Sequence, residues 1–109
     1  MEPLHGLLDM LVLKTLVMGP LHGYGIAKAI HASSNEKLDI EFGSLYPALK
    51  RLEVKGWIAS KWETSEHNRP AKYYRLTATG KQQLRQEHSE WVQFAGAIRR
   101  IMGPAPESE

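Results

Sequence analysis

Apolar residues recur with a helical period over the first third of the chain, and two breaks divide them into helices. Leucines and valines at i, i+3 and i+4 spacings predict a first helix over residues 4–16, ended by Gly19-Pro20. A second helix is predicted from about His22 to Ala32. Residues 33–42 are mainly polar and are followed by a glycine, so this stretch is predicted to be a loop.

A third helix is predicted by signals at both of its ends. Ser44 is expected to be the N-cap, with its hydroxyl accepting a hydrogen bond from an unpaired backbone N–H of the first turn. Pro47 would then lie in the first turn, where its missing N–H removes no intrahelical hydrogen bond. Gly56, directly after Lys55, is expected to end the helix in the left-handed conformation.

The two faces of this third helix differ in chemistry. Its apolar face has leucines at i, i+4 and i+7 (Leu45, Leu49 and Leu52), which predicts a buried stripe. Its other face carries Tyr46, Lys50 and, at the edge, Arg51. A short helix with a basic face that leads straight into a strand is typical of a DNA-reading helix followed by a wing.

A β-hairpin and a long helix are predicted to follow. Alternating side chains indicate strands at residues 57–64 and 71–76, joined by a turn at 65–70. The side chains expected on the buried face of the hairpin are Ile58, Trp62, Tyr74 and Leu76, and those expected toward solvent or a ligand are Lys61, Glu63, Tyr73 and Arg75. Thr77 is expected to cap a helix that continues to about Met102.

Three helices, a two-stranded wing and a further helix follow the element order of a winged helix-turn-helix protein. We therefore predict an α+β fold that is mainly α. Residues 1–76 are expected to form the winged helix-turn-helix DNA-binding domain, residues 77–102 a C-terminal dimerisation helix, and residues 103–109 a disordered tail.

The last helix carries a heptad pattern, with spacings that alternate between four and three residues. The positions are Leu84, His88, Trp91, Ala95, Ile98 and Met102. This is the seam of one helix packed on another, and at about 1.5 Å per residue it extends roughly 27 Å, past a compact three-helix body. We expect this helix, together with the first helix, to form a homodimer.

Charge is distributed unevenly along the chain. The net charge is only +2, but residues 44–75 carry seven basic and three acidic residues, a local balance of +4. The remainder has a balance of −2. A positive segment on a slightly acidic body is the electrostatic pattern of a polyanion-binding protein, although an ordinary solvated face would have the same composition.

Composition narrows the functional classes. The 109 residues suffice for one domain, and the absence of cysteine excludes disulfides and thiolate metal sites. The chain lacks an apolar run of membrane-spanning length and a secretory signal, so a cytoplasmic location is expected. The five histidines have no metal-binding spacing, and no nucleophile elbow or phosphate loop is present. We expect no metal, no cofactor and no enzyme activity.

Four motifs together resemble the PadR family of bacterial transcriptional regulators. They are GLLDMLVL at residues 6–13, GPLHGYGI at 19–26, GSLYPALKRL at 43–52 and RPAKYYRLTATG at 69–80. The likeness spans about residues 4–102, with the motifs in the family's order, and the single helix after the wing is similar to the short branch of the family. The resemblance implies a dimeric winged-helix repressor that reads a palindromic DNA operator.

The resemblance also implies roles for individual residues. Tyr46 and Lys50 match groove-facing positions, Arg69 and Lys72 match the basic tip of the wing, and Tyr24 matches a tyrosine that presses the second helix onto the DNA backbone. Ser44 either contacts a phosphate or only caps the helix. For Tyr46 and Lys50 the alternative is a solvated helix face. For Arg69 and Lys72 it is an ordinary charged hairpin tip, and for Tyr24 it is a packing role.

Two further interpretations remain open at this point. Relatives bind flat aromatic compounds between their dimerising helices, so Trp91 and Phe94 are candidate effector contacts, although aromatic residues at helical spacing more often form core. The alternative to DNA binding is a winged-helix module for protein–protein contact, which would keep the fold and lose the DNA-binding face.

Overall fold

Seven elements of regular structure form a mainly helical fold around one antiparallel sheet. The computed structural model describes residues 3–106, with side chains described from residue 6 onward. The elements are α1 (Pro3–Thr15), β1 (Leu21–His22), α2 (Gly23–Ser33), α3 (Phe42–Val54), β2 (Ile58–Thr64), β3 (Pro70–Leu76) and α4 (Ala78–Met102), with a 3₁₀ turn at Leu16–Met18 after α1. This order confirms the predicted winged helix-turn-helix class.

The predicted two-stranded wing is confirmed as the β2–β3 hairpin, but the sheet has a third strand, β1, that the sequence did not predict. The strand order is β1-β3-β2, and β1 pairs antiparallel with β3 through Leu21 opposite Tyr74 and His22 opposite Tyr73. Two residues are too short to show any alternation in the sequence. The added strand ties the start of α2 to the base of the wing.

The third helix begins two residues before the predicted N-cap. Glu41 is the N-cap, with extended φ and ψ angles of −75° and 140°, and its carbonyl accepts hydrogen bonds from Ser44 and Leu45. Ser44 therefore lies inside the first turn and does not cap the helix. The carboxylate of Glu41 at this end suits the positive pole of the helix dipole.

Because α3 starts earlier, Pro47 lies in its second turn rather than its first. Its missing N–H therefore leaves the Gly43 carbonyl without the usual i−4 donor. Gly43 is exposed, so water can satisfy that carbonyl. The predicted end is confirmed: Gly56 has φ +77°, and the N–H groups of Gly56 and Trp57 donate to the carbonyls of Glu53 and Leu52, which is the Schellman arrangement.

The core lies where α1, α2 and α3 meet the sheet. The stripe of Leu45, Leu49 and Leu52 is completely buried, as predicted. It is surrounded by buried apolar residues of the other elements: Val12, Leu13, Leu16, Ile26, Ile30, Ile58 and Tyr74. Burial of these side chains supplies most of the driving force for folding.

One ion pair joins α1 to α3 at the margin of the core. Asp9 is buried, and Arg51 Nη2 donates to its Oδ1 at 3.0 Å. The sequence placed Arg51 at the edge of the basic face of α3, but its guanidinium is directed to α1. Removing Arg51 would leave a buried carboxylate unpaired, so this residue has a structural role.

The wing extends beyond the helices that cover its base. Ile58 and Tyr74 are buried and Leu76 is half-buried, but Trp62 is 68% exposed, so its predicted burial was wrong. Alternation assigned Trp62 to the correct strand face, because it pairs across the sheet with Lys72, on the same side as Tyr74. That part of the face has no helix packed on it.

The first turns of α4 are fixed to the body. The Thr77 hydroxyl oxygen accepts a hydrogen bond from the Gly80 N–H at 3.0 Å, which confirms Thr77 as the cap. Gly80 lies so close to the sheet that an added Cβ would be 2.0 Å from the Trp57 carbonyl oxygen. Farther along, Leu84 packs against the core, and burial raises the pKa of Glu87.

The C-terminal part of α4 is different, because its apolar side chains are exposed. Ile101 is 80% and Met102 is 74% exposed. The Cα radius of gyration is 15.7 Å, against about 13 Å for a typical compact domain of this length, as expected if the C-terminal part of a helix about 37 Å long projects from the body. Residues 103–106 of the predicted tail have neither helix nor strand, and residues 107–109 lie outside the described residues.

Candidate nucleic-acid interface

A row of aromatic rings follows the outer side of α2, α3 and the sheet. Tyr73 lies next to His22 at a ring-centroid distance of 5.2 Å, and His22 is 6.3 Å from Tyr24. Tyr24 stacks on Phe42 at 6.5 Å, and Phe42 is 5.8 Å from Tyr46. These rings connect the start of α2 to the first turns of α3 on one surface.

The Nδ1 atom of His22 caps α2. It accepts a hydrogen bond from the Gly25 N–H at 3.0 Å, which assigns the ring proton of the neutral side chain to Nε2. Because His22 also belongs to β1, this bond fixes the start of α2 relative to the sheet. Tyr24, the second residue of α2, is thereby held beside the N-terminal end of α3.

A groove of about 690 Å³ lies between this surface and the wing. The residues that line it on the helix side include His22, Tyr24 and Tyr46, and those on the wing side include Trp62, Lys72 and Tyr74. Three of the predicted DNA-binding residues, Tyr24, Tyr46 and Lys72, thus meet in one concave surface. The open groove combines aromatic rings with a lysine, and tyrosine hydroxyls and lysine ammonium groups are donors that can contact DNA phosphates.

Tyr46 is held in place by a glycine. An added Cβ on Gly23 would be 2.7 Å from the Tyr46 hydroxyl oxygen and 2.9 Å from two ring carbons, so only a glycine allows the ring this close to α2. Tyr46 remains 49% exposed, which leaves part of the ring and its hydroxyl available to a ligand. Gly23 is a positioning residue that the sequence did not single out.

Lys50 and Lys72 are on two sides of a second groove of about 430 Å³, between α3 and β3. Lys50 is exposed, one turn after Tyr46. Lys72 Nζ is 3.3 Å from Glu53 Oε1 and lies over the ring of Tyr74 at 5.7 Å. A phosphate that binds Lys72 would therefore compete with the Glu53 carboxylate.

Glu53 is the polar link between α3 and the wing. Its carboxylate accepts hydrogen bonds from the Ser60 hydroxyl and from Lys72. The hydrogen bond from Ser60, followed by the interactions with Lys72, lowers the pKa of Glu53 below its ordinary value despite partial desolvation. The wing is thus attached to α3 by an ionised carboxylate.

Arg69 and Ser44 lie at the two ends of the surface. Arg69 is exposed at the hairpin tip. In this turn the Ser65 hydroxyl oxygen accepts hydrogen bonds from the backbone N–H groups of His67 and Arg69, and Asn68 has a φ of +58°. Ser44 is exposed in the first turn of α3. Neither of these two predicted contacts lines the aromatic groove.

The basic character of residues 44–75 is weaker in the folded protein than in the sequence. Of the seven basic side chains, Arg51, Lys61 and Lys72 form ion pairs with Asp9, Glu63 and Glu53 respectively. Within the described part of the chain, no ion pair involves Lys50 or Arg69. These two residues are the best-placed cations for contact with phosphate.

Phe42 and Trp62 were not predicted as site residues. Phe42 was assigned to a loop, and Trp62 was expected to be buried. The sequence feature that could have identified them as site residues is a large apolar side chain at the edge of a polar, basic segment. Such a residue is informative when it is exposed, which only the folded structure reveals.

The predicted dimer and effector residues divide between the two parts of α4. Leu84 packs on its own core, Trp91 and Ala95 are half-buried, and His88, Ile98 and Met102 are exposed. Trp91 and Phe94 contact each other at a centroid distance of 5.8 Å. Nothing in one subunit tests their roles, which stay predictions.

Within residues 3–106, no group of three His, Cys, Asp or Glu side chains is arranged to hold a metal ion. Among the helices in the described part of the chain, none is long and apolar enough to cross a membrane.

Three helices, the wing and the exposed α3 face define a protein of the winged-helix DNA-binding class. Residues 12–86 match the transcriptional regulator PadR-like family, and the chain belongs to this family. The family consists of transcriptional regulators and not of enzymes.

The chain is also similar to individual relatives and solved structures. Uncharacterized protein X of Lysinibacillus sphaericus is 30% identical over 99 residues, which cover 91% of each chain. The solved structure of a transcriptional regulator from Clostridium thermocellum has a TM-score of 0.81 and 31% identity, covering 92% of this chain and 97% of that one. A PadR family regulator from Eggerthella lenta has a TM-score of 0.74 and 33% identity, covering 93% and 86%.

Proposed function

We propose that the protein is a dimeric transcriptional repressor that binds a palindromic operator with α3 and the β2–β3 wing. The observation that carries this proposal is the division of α3 into a completely buried leucine face and an exposed face with Tyr46 and Lys50. A helix fixed so firmly on one side presents the other side at a defined position. Insertion of that side into a major groove would bring the wing to the adjacent backbone or minor groove.

Each exposed side chain has a specific task in this proposal. Lys50 and Arg69 neutralise phosphates, and Tyr46 contacts base edges with its hydroxyl or ring. Tyr24 contacts the backbone from the start of α2. Ser44 donates its hydroxyl to a phosphate, since it does not cap the helix. Lys72 also contacts DNA, with its ammonium group leaving the Glu53 carboxylate and binding a phosphate oxygen instead.

The test of DNA binding uses the region upstream of the protein's own gene. We expect the full chain to shift this fragment in a gel and to prefer it over random DNA of the same length. A protein–protein interaction module with the same fold would bind neither fragment under low salt. A purified, folded chain without any DNA binding would therefore favour that alternative and contradict the proposal.

The proposed dimer uses the projecting part of α4, together with α1. Ile98, Ile101 and Met102 are exposed apolar side chains on a helix that extends beyond its own domain. In a two-fold dimer they would be covered by the second subunit, and the two α3 helices would reach half-sites about 34–36 Å apart. His88, exposed in the single subunit, would be covered in such an interface.

Sedimentation of variants tests this assembly. Ile98→Glu is expected to shift the protein to monomers, because a charge would be buried in the interface. Val54→Glu replaces an exposed apolar residue of α3 instead and serves as the control, which should remain dimeric. A dimer that survives both Ile98→Glu and removal of residues 97–109 would contradict the assignment to α4.

An aromatic effector is a further part of the proposal. Trp91 and Phe94 form an aromatic pair that a flat compound could contact between two α4 helices. In a Trp57→Phe, Trp62→Phe background, Trp91 is the remaining tryptophan, so quenching by phenolic acids or planar drugs would report on this pair. Saturable quenching accompanied by release of DNA is expected. Its absence over a broad panel would leave a repressor without an effector of this type.

A further inference from the structure

Phe42 is an apolar ring at the leading end of α3. It is the first residue of this helix and is 44% exposed. Its ring lies between two tyrosines, stacked on Tyr24 at 6.5 Å with planes 22° apart and tilted on Tyr46 at 5.8 Å and 31°. Two neighbours therefore restrict the ring, so little side-chain entropy remains to be lost when it contacts a ligand.

The chemistry of Phe42 differs from that of every neighbour on this surface. Tyr24 and Tyr46 have hydroxyls, and Lys50 has an ammonium group, all of which can donate to phosphate or to base edges. Phe42 has no hydrogen-bonding group. A phosphate contact therefore cannot account for its exposure on a surface that faces DNA.

The major groove offers one apolar feature that such a ring can contact. Thymine presents its C5-methyl group there, next to the O4 acceptor, and apolar side chains contact this methyl directly. The N-terminal residues of a recognition helix are those that contact base edges. Phe42 occupies this position on α3, with its ring held by Tyr24 and Tyr46.

We propose that Phe42 is a specificity-determining residue that contacts the methyl group of one thymine in each operator half-site. The inference rests on the proposed function, because it requires α3 to enter a major groove. The predicted preference is for thymine over both cytosine and uracil, since both lack the C5-methyl group. A phosphate-binding residue would produce no such preference.

The experiment first selects preferred duplexes from a random pool with the full-length protein. Each thymine of one half-site is then replaced, one at a time, by deoxyuridine, which removes only the methyl group. We expect one position at which this replacement weakens binding of the unmodified protein about fourfold, the effect of burying one methyl-sized group. Fluorescence anisotropy measures each Kd at fixed salt.

Variants connect that position to Phe42. Phe42→Ala should bind the thymine and uracil duplexes equally, and Phe42→Leu should retain the preference because it keeps an apolar side chain. Lys50→Ala is the matched control on the same helix face, and it should bind both duplexes more weakly with the fourfold ratio unchanged. If Phe42→Ala lowers the melting temperature strongly, Phe42→Gln replaces it in the comparison.

The outcomes separate this inference from the function on which it rests. Selective binding to a site without a thymine-to-uracil effect, or with the same effect in Phe42→Ala, overturns the role of Phe42 and leaves DNA binding intact. Failure to enrich any sequence, with no binding to the upstream fragment, overturns both.

Discussion

The two faces of α3 have opposite environments although they belong to the same 13 residues. On the inner face, Leu45, Ala48, Leu49 and Leu52 are completely buried. On the outer face, Phe42 and Tyr46 are about half exposed and Lys50 is exposed. The inner face fixes the position of the helix in the protein, and the outer face determines what the helix can bind. Substitutions on the two faces should therefore change different measurements.

The largest expected effect belongs to the inner face. Leu49→Ala should lower the free energy of unfolding by about 3 kcal/mol, because it removes a completely buried side chain and leaves a cavity. Urea denaturation at a fixed protein concentration measures the change. Below the unfolding transition, the folded fraction should bind DNA with unchanged affinity. A stable Leu49→Ala variant with weakened DNA binding would contradict the separation of the two faces.

Gly23→Ala should do the opposite of Leu49→Ala: it should weaken DNA binding and leave folding stability nearly unchanged. The added methyl would be 2.7 Å from the Tyr46 hydroxyl oxygen, so the ring must move. DNA affinity should then fall about tenfold, the effect of losing one base contact. Folding stability should change little, since alanine is the better helix former. Gly25→Ala is the matched control, because the atoms nearest to its added methyl belong to Leu21 and His22, at 3.3 and 3.4 Å, rather than to Tyr46. Equal losses of affinity in both variants would remove Gly23 from its positioning role.

Glu53→Gln should lower folding stability in a pH-dependent way, because the ionised Glu53 carboxylate attaches α3 to the wing. The pKa of Glu53 is lowered in the folded protein, first by the hydrogen bond from Ser60, so the carboxylate stabilises the fold above its ordinary pKa of 4.5. This contribution is lost as the pH falls through the lowered pKa. The variant should be less stable by about 1 kcal/mol at pH 7, and the difference should shrink in acid. Thermal melts at pH 7 and at successive pH values below 4.5 measure it, and a difference that stays constant until the protein unfolds would contradict an ionised link.

The smallest expected effect is that of Lys50→Ala. It should leave folding stability within about 0.5 kcal/mol, as for most surface substitutions. Binding to operator and to random DNA should weaken equally, and the slope of log K against log salt should become shallower by about one. Val54→Ala, at another exposed position of α3, should leave the slope unchanged. An unchanged slope in Lys50→Ala would exclude Lys50 from the phosphate contacts.

The inner face was largely predictable from the sequence, because burial leaves a periodic signal. The leucine stripe of α3, the Thr77 cap and the left-handed Gly56 follow local rules, and the structure confirms all three. The start of α3 was not predictable from capping rules. The helix begins at Phe42, two residues before Ser44, and the Phe42 ring packs between Tyr46 and Tyr24, which is distant in the sequence.

The outer face was predictable only in part. Exposed residues leave no periodic signal of their own, so the exposure of Trp62 depended on where the covering helices end. The pairing of Arg51 with Asp9 and of Lys72 with Glu53 depends on contacts across 42 and 19 residues. The strand at Leu21–His22 is too short for alternation to reveal it. Long-range packing decided each of these features.

We propose that the outer face of α3 reads DNA sequence. The most direct measurement is the ratio of operator affinity to random-DNA affinity for Tyr46→Ala and for the unmodified protein at the same salt concentration. Tyr46→Ala should lower this ratio about tenfold, the value of one good base contact, while its melting temperature stays close to that of the unmodified protein. An unchanged ratio in a folded variant would contradict base readout by Tyr46.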